Sequence, residues 1–276
     1  MNRELINRSM EYILQHFDED LSVKDVAEYF HYSEYYFCRS FKAATGESVY
    51  EFIMRLKMDQ SAVDLKLIPD RPITDVGLDY GYSSSNYSSA FKKHHSISPS
   101  EFRKLANPSV MENPFYPEGA SGFDTFDGYA DRTEIRELED LSVVYERVIG
   151  SYMDLKENWP RFVSKYKGFI KKDTLFIERF YDDPAIASLN RCICDLCMTV
   201  DKSFSQENRT TIKGGKYAVY HYEGMIQDIF CSVQGVFSVW LPASGYTMDQ
   251  RYGLNIYQKM EENSECVTMD LCIPIK

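Results

Sequence analysis

The residues best suited to chemistry in this sequence are Cys192, Cys194 and Cys197, a CxCxxC run. Thiolates at that density can hold a soft metal or act as a redox pair. The run reads as an extended strand, where successive side chains face opposite ways. Cys192 and Cys194 then share one face and Cys197 takes the other. Three sulfurs so placed cannot converge without a bend, and burial as small hydrophobes is the expectation. His94 adjoins His95, and His221 stands alone on a strand; neither has a partner that suggests catalysis. No two-carboxylate or Ser/His/Asp spacing is evident. The sequence therefore predicts no catalytic residue, no metal and no cofactor. What remains is aromatic: Tyr152, Trp159, Tyr181, Tyr217, Phe230, Trp240 and Tyr257 could line a ligand cavity, although many must serve as core.

The elements that position these residues begin with an internal repeat. Adding 50 to each position superimposes the stretch from Leu21 on the stretch from Arg71 without a gap. Asp25 meets Asp75, Tyr32 meets Tyr82, Ser33 meets Ser83, Phe41 meets Phe91, and Glu51 meets Glu101. Each copy reads as helix, tight turn, helix. In the first, Ser22 caps with Asp25 in the capping-box position, and Val23, Val26, Ala27 and Phe30 form an apolar stripe. Ser33 caps the second helix, whose buried face is Tyr36, Phe37, Ser40 and Phe41, and Gly46 ends it. In the second copy Thr74 caps and Ser83 caps again. Ala27 and Gly77 are small where two helices must cross closely. A preceding helix runs from Glu4 to Phe17, and a linking helix from Tyr50 to about Leu67 sets the separation of the two motifs.

Two helix-turn-helix motifs joined by a helix and ending in SISPSEFRK resemble the DNA-binding domain of the AraC family of bacterial transcription regulators. The matching residues are Ala27, Ser33, Arg39, Phe41, Lys42, Gly46, Gly81, Phe91, Lys92, Pro99, Phe102 and Arg103. The resemblance implies that Tyr35, Cys38 and Arg39, and Ser85, Asn86 and Ser89, lie on the two groove-facing surfaces. There Arg39 can pair with a guanine edge and Asn86 with adenine. Lys42, Lys92 and Lys93 are then placed to meet phosphates. The second recognition helix is poor in long polar side chains, so it is expected to read fewer bases.

Charge restrains this reading. The chain of 276 residues carries a net charge of −11. Residues 1–110 hold 13 Lys/Arg and 16 Asp/Glu, and the remainder 18 and 26. DNA contact must come from locally placed cations, with weak nonspecific affinity. Seven cysteines without a secretory signal, and no apolar run of membrane-spanning length, predict a reduced, cytoplasmic protein.

Proline and glycine without periodicity mark residues 107–130 as a linker between a DNA-binding domain at 1–106 and a second domain at 131–276. The second domain alternates as βαββ followed by βαββ. The fold class is thus an all-α double helix-turn-helix domain followed by an α+β domain of two βαββ halves. Residues 132–276 resemble the GyrI-like effector-binding domain. The match rests on Gly150-Ser151-Tyr152, Trp159, Tyr181 with Asp183-Pro184, Gly215-Lys216-Tyr217, Gly224, Leu241-Pro242, Ser244-Gly245-Tyr246, Tyr257 and Ile273-Pro274. In that family a glutamate commonly stands two residues before the tyrosine and faces cationic ligands. Here Asn255 occupies that position. A neutral amide predicts a neutral or weakly charged effector, with Asp270 the one nearby acid able to replace the charge.

Together these features predict a cytoplasmic one-component transcription regulator. It would bind double-stranded DNA, contact RNA polymerase, and sense a small lipophilic or aromatic effector through Tyr152, Trp159, Tyr181, Phe230, Asn255 and Tyr257. Two other classes stay open: a DNA-tethered GyrI-like hydrolase, which would need the missing pocket glutamate, and a protein-binding module without a small-molecule ligand.

Overall fold

Fifty residues separate each helix of the first motif from its counterpart in the second, and the offset persists in the computed structural model. It describes residues 3–105, 122–183, 186–187, 190–201, 203–205, 208–249, 251–259 and 266–276. Most of the stretch read as linker, and Pro184, lie outside these. The chain divides into two compact units, Met1–Ala106 and Asn107–Lys276.

In the first unit α1 (Arg3–His16) precedes the pair α2 (Val23–Tyr29) and α3 (Glu34–Thr45). The linking helix α4 (Val49–Leu67) leads to the pair α5 (Ile73–Asp79) and α6 (Ser84–His95), and α7 (Pro99–Leu105) follows. Ser22 and Asp25 close a full capping box on α2, and Ser48 with Glu51 repeats it on α4. Thr74 does not cap α5. It lies inside the helix, and Pro72 holds the cap position without a side-chain hydrogen bond. The fixed φ of proline suits a helix start, so the helix begins ahead of the threonine.

Left-handed backbone falls at matching places in the two motifs: His31 and Gly46, then Gly81 and Ser96. Each turn and each helix end demands positive φ, which glycine adopts without a Cβ clash. Gly77 sits against Tyr87, where an added Cβ would stand 2.7 Å from the ring. The counterpart pair, Ala27 and Phe37, is fully buried. Tyr36, expected in the core, is 44% exposed and stacks on Tyr32, because Phe37 and Phe41 already fill the buried side of α3.

The second unit opens with α8 (Phe126–Ala130), formed by residues read from sequence as linker. Then come β1 (Thr133–Leu138), β2 (Leu141–Gly150), α9 (Leu155–Tyr166), β3 (Phe176–Phe180) and β4 (Cys192–Thr199). β5 (Arg209–Ile212) and β6 (Gly215–Met225) precede α10 (Ile229–Gly235), a π turn at Val236–Trp240 and α11 (Leu241–Ala243). β7 (Gly253–Lys259) and β8 (Cys266–Pro274) finish the unit. All strands join one sheet in the order β1-β6-β8-β7-β3-β4-β2-β5. The two βαββ units are β2-α9-β3-β4 and β6-α10-β7-β8, joined along an antiparallel β3–β7 seam.

β1 and β5 are two strands beyond the expected six. Each pairs with the opposite half, β1 with β6 and β5 with β2. This exchange bends the sheet. Six strand steps separate β1 from β2, about 29 Å if the sheet were flat. The connection between them runs from Leu138 to Leu141 and can span at most about 11 Å. The sheet must therefore curl until its ends approach. The Asp140 carboxylate ties the two crossing turns by accepting from the Gly214 N–H at 2.9 Å. The concave face buries Val143, Ile177, Cys197, Val219, Leu254 and Ile256. The other face of the first half carries α9, packed through Trp159, Phe162 and Tyr166 on Val144, Leu196 and Met198.

Candidate functional site

The β3–β7 seam carries a buried acid. Glu178 on β3 pairs in register with Asn255 on β7, and it is 6% exposed. Its carboxylate accepts from Trp159 Nε1 at 2.8 Å and from Asn255 Nδ2 at 3.1 Å. The Tyr257 hydroxyl also hydrogen-bonds it. Burial, then the Glu178 charge and that bond, push the Tyr257 hydroxyl well above its ordinary value. All three partners are neutral, and among the described residues no cation lies in ion-pair range of Glu178. The Asn255 Oδ1 is buried and accepts no hydrogen bond among them.

Around this carboxylate the side chains are aromatic. The Trp159 ring meets Tyr257 edge-on at 5.7 Å and Phe176 at 6.1 Å. Tyr152 packs on the same cluster. Its hydroxyl is raised well above the usual value by burial first, then by Asp182 and other groups that include Glu178. Beside it lies a recess of about 10 Å³, room for about one water molecule, lined by Val148, Gly150, Ser151, Tyr152, Leu155, Cys192 and Cys194. Cavities that hold drug-sized ligands run to about 300–1,000 Å³. A ligand of that size would have to move Trp159 or Tyr152.

Four of the six expected ligand-binding residues thus converge: Tyr152, Trp159, Asn255 and Tyr257. Tyr181 and Phe230 do not join them. Phe230 is half-buried on α10, in the other half. Tyr181 turns to an ionic cluster with Asp195, whose carboxylate it meets at 2.7 Å. Asp195 is fully buried between Arg147 and Arg179, with guanidinium contacts of 2.8 and 2.6 Å. Burial alone would raise the Asp195 carboxyl. The two guanidinium charges and the bonds from Arg147 and Tyr181 outweigh it and hold the carboxyl below its ordinary value.

Asp270 does not reach the seam. It shares its sheet face with Ile256 and His221, its register partners, whereas Asn255 pairs with Leu271. There Asp270 accepts from Gln258 at 2.9 Å and pairs with His221 Nδ1 at 2.9 Å. The strand period of two settles the matter: positions 255 and 270 lie on opposite faces. His221, read as a satisfied structural histidine, has this partner. The cysteine run behaves as its spacing predicts, with Cys194 packed on the α9 side and Cys197 in the concave core.

Glu178 was missed by sequence reasoning, but a signal exists. Both halves contain Asp-Leu-Cys, at Asp195-Leu196-Cys197 and Asp270-Leu271-Cys272. Glu178 pairs with Leu196 and Asn255 with Leu271. Through that strand register Glu178 is the structural equivalent of Asn255, although the triplet's sequence offset carries Glu178 to Gly253, so a two-residue gap between the halves hides the match.

On α3, Tyr35, Arg39 and Lys42 are exposed and Cys38 half-buried, all on one helical face, with Tyr35 at 76% exposure. On α6, Ser85, Asn86, Ser89, Lys92 and Lys93 are exposed. The Ser89 hydroxyl donates back to the Ser85 carbonyl at 3.2 Å, so it is partly occupied within its own helix.

Residues 26–105 match the family profile of a helix-turn-helix domain, and residues 132–276 that of the GyrI-like small molecule binding domain. Over 103 residues the chain is 31% identical to the regulatory protein SoxS of Salmonella typhimurium, covering 37% of this chain and 95% of SoxS. Over 114 residues it is 30% identical to an uncharacterized HTH-type transcriptional regulator of Staphylococcus aureus (strain COL), covering 41% of this chain and 15% of that protein. The chain thus spans a small part of the S. aureus relative's length and nearly all of SoxS. Among solved structures, the C-terminal domain of AraT, a response regulator from Geobacillus stearothermophilus, is 28% identical with a TM-score of 0.35. It covers 42% of this chain and 93% of its own.

Removing the Asp195 charge should unmask two buried guanidinium groups. Asp195→Asn should lower the unfolding free energy of the second unit by about 3–5 kcal/mol in urea titrations. The depressed carboxyl sets the sign with pH. Its contribution is complete above the ordinary carboxylate range, near pH 4, and is lost as pH falls through the lower folded value. The native protein should show this acid-dependent loss, and the Asn variant should lack that component.

Proposed function

The chain belongs to the GyrI-like small-molecule-binding family and joins that domain to an AraC-type helix-turn-helix, the make-up of a transcription regulator; from this premise we propose that it is a cytoplasmic, effector-responsive DNA binder and not an enzyme. The observation that carries the effector reading is Glu178: a buried carboxylate on an aromatic seam whose partners are all neutral. Burying a carboxylate without a counter-cation costs several kcal/mol, and a bound cation offsets that cost. The effector is therefore a lipophilic aromatic cation, which revises the neutral effector suggested by Asn255. The cation replaces the Trp159 N–H at Glu178, and the rings of Trp159, Tyr152 and Tyr257 cover its apolar body. Ring faces add about 0.5–2 kcal/mol toward a cation. Asn255 orients the polar end, its Oδ1 accepting from the ligand.

In the first unit Arg39 and Tyr35 read bases, while Lys42, Lys92 and Lys93 hold phosphates. Asn86 offers the second helix its one bidentate contact, and Ser85 contributes little discrimination. Cys38, half-buried, packs beside the reading face. Effector binding biases the regulator by a coupling free energy between its two sites, with RNA polymerase as the downstream partner.

Two measurements test these halves separately. A matched pair of dyes, one cationic and one neutral, is titrated against the native protein and Glu178→Gln. The native protein should prefer the cation at least tenfold, and the variant should lose that preference while keeping the neutral dye. Equal preference in both proteins would remove Glu178 from the site. On DNA, Arg39→Ala should cost about 1–3 kcal/mol and relax base preference at one position. Lys42→Ala should weaken all sequences alike and lower the salt slope by about one unit. An Arg39→Ala protein with unchanged base preference would remove α3 as the reader.

A further inference from the structure

Where α6 ends against α4, the first unit holds a charge cluster that DNA recognition does not use. Glu47, Arg55 and Asp59 are 3%, 4% and 5% exposed. Arg55 pairs with Glu47 at 2.7 Å and with Asp59 Oδ2 at 3.7 Å. Two buried carboxylates therefore meet one guanidinium. The open side of Asp59 is met by imidazoles. His94 Nε2 lies 2.8 Å from Asp59 Oδ1. His95 stands beside it, with ring centroids 4.5 Å apart. One ligand atom from each of Asp59, His94 and His95 lies within 4.8 Å of the others. The Asp59 Oδ2 is buried and accepts no hydrogen bond among the described residues.

We propose that Asp59, His94 and His95 form a site for a divalent transition-metal ion of the zinc class. Two imidazoles and a carboxylate, completed by water, are a donor set that zinc takes. Zinc–ligand bonds of about 2.0–2.2 Å place ligand atoms about 3.3 Å apart, so the three groups need close by no more than about 1.5 Å. The proton that His94 Nε2 shares with Asp59 passes by way of solvent to Nδ1 as the ion enters, so the ring ligates through Nε2 as a neutral imidazole. The His95 ring exchanges its contact to the Met58 carbonyl, 3.2 Å, for the ion. The Arg55–Glu47 pair behind Asp59 acts as the outer shell that orients the carboxylate. The ion pins the C-terminal turn of the second recognition helix to the linking helix, and so fixes the approach of α6.

The test uses the full chain, stripped with chelator and kept reduced. Zinc is titrated calorimetrically, and cobalt is titrated in parallel by absorption. One equivalent should bind, the cobalt form should show visible d–d bands without a near-ultraviolet thiolate band, and the melting temperature should rise. His94→Gln should weaken binding at least tenfold. His95→Gln should do the same, but its ring also packs on Phe91 and Phe102. The half-exposed His94 therefore carries the decision if that variant is unstable. Absence of binding, a thiolate band from cysteine ligation, or unchanged affinity in His94→Gln would each overturn the site.

Discussion

Glu178 and Asn255 face each other across β3 and β7, the seam along which the two βαββ units meet. A carboxylate there is costly unless donors saturate it, and the seam supplies three: an indole N–H, an amide and a phenol. Their arrangement fixes much else. Trp159 reaches Glu178 only because α9 lies across β3, and α9 lies there because its apolar side packs on Val144, Leu196 and Met198. Behind Glu178, on the other face of the same strand, Arg179 is locked to Asp195. β3 is thus held from both sides, by neutral donors on one face and by an ion cluster on the other. The two clusters differ in kind. Asp195 meets two guanidinium groups, whereas Glu178 meets no cation in ion-pair range among the described residues, and this difference is what the proposed cationic effector would use.

The sequence made the first unit legible because its repeat is gapless. An offset of fifty carried the turns and the left-handed positions from one motif to the other, but not the side-chain caps, since Ser33 accepts from Tyr36 N–H whereas Ser83 at the matching position makes no cap hydrogen bond. Thr74 failed as a cap because proline two residues earlier started the helix first. Tyr36 failed as core because periodicity cannot tell a surface aromatic stack from burial. In the second unit the βαββ order was legible, but β1 and β5 were not. Short edge strands carry little alternation, and their pairing with the opposite half is a long-range property. Asp270 was placed in the wrong environment because its strand register could not be known, and one residue of register decides the face. Glu178 was hidden for a related reason: its partner is 77 residues away.

The two recognition helices share backbone geometry but not chemistry. α3 presents Tyr35, Arg39 and Lys42, long side chains that can reach base edges or phosphates. α6 presents serines, one of them bonded to its own helix, ahead of Lys92 and Lys93. With a net charge of −11, the chain has little long-range attraction for DNA, so specificity would rest on few local contacts. A helix so sparse in contacts gains more from exact positioning than from added affinity, which gives the Asp59–His94 link between α6 and α4 its significance.

We propose that the effector enters at the Glu178 seam. The most direct measurement is a crystal structure of the full chain with the tightest-binding aromatic cation from the dye series. The cationic atom should lie against the Glu178 carboxylate, with Trp159 swung off its hydrogen bond and the recess beside Tyr152 opened. A ligand bound elsewhere, with the Trp159–Glu178 bond intact, would contradict it.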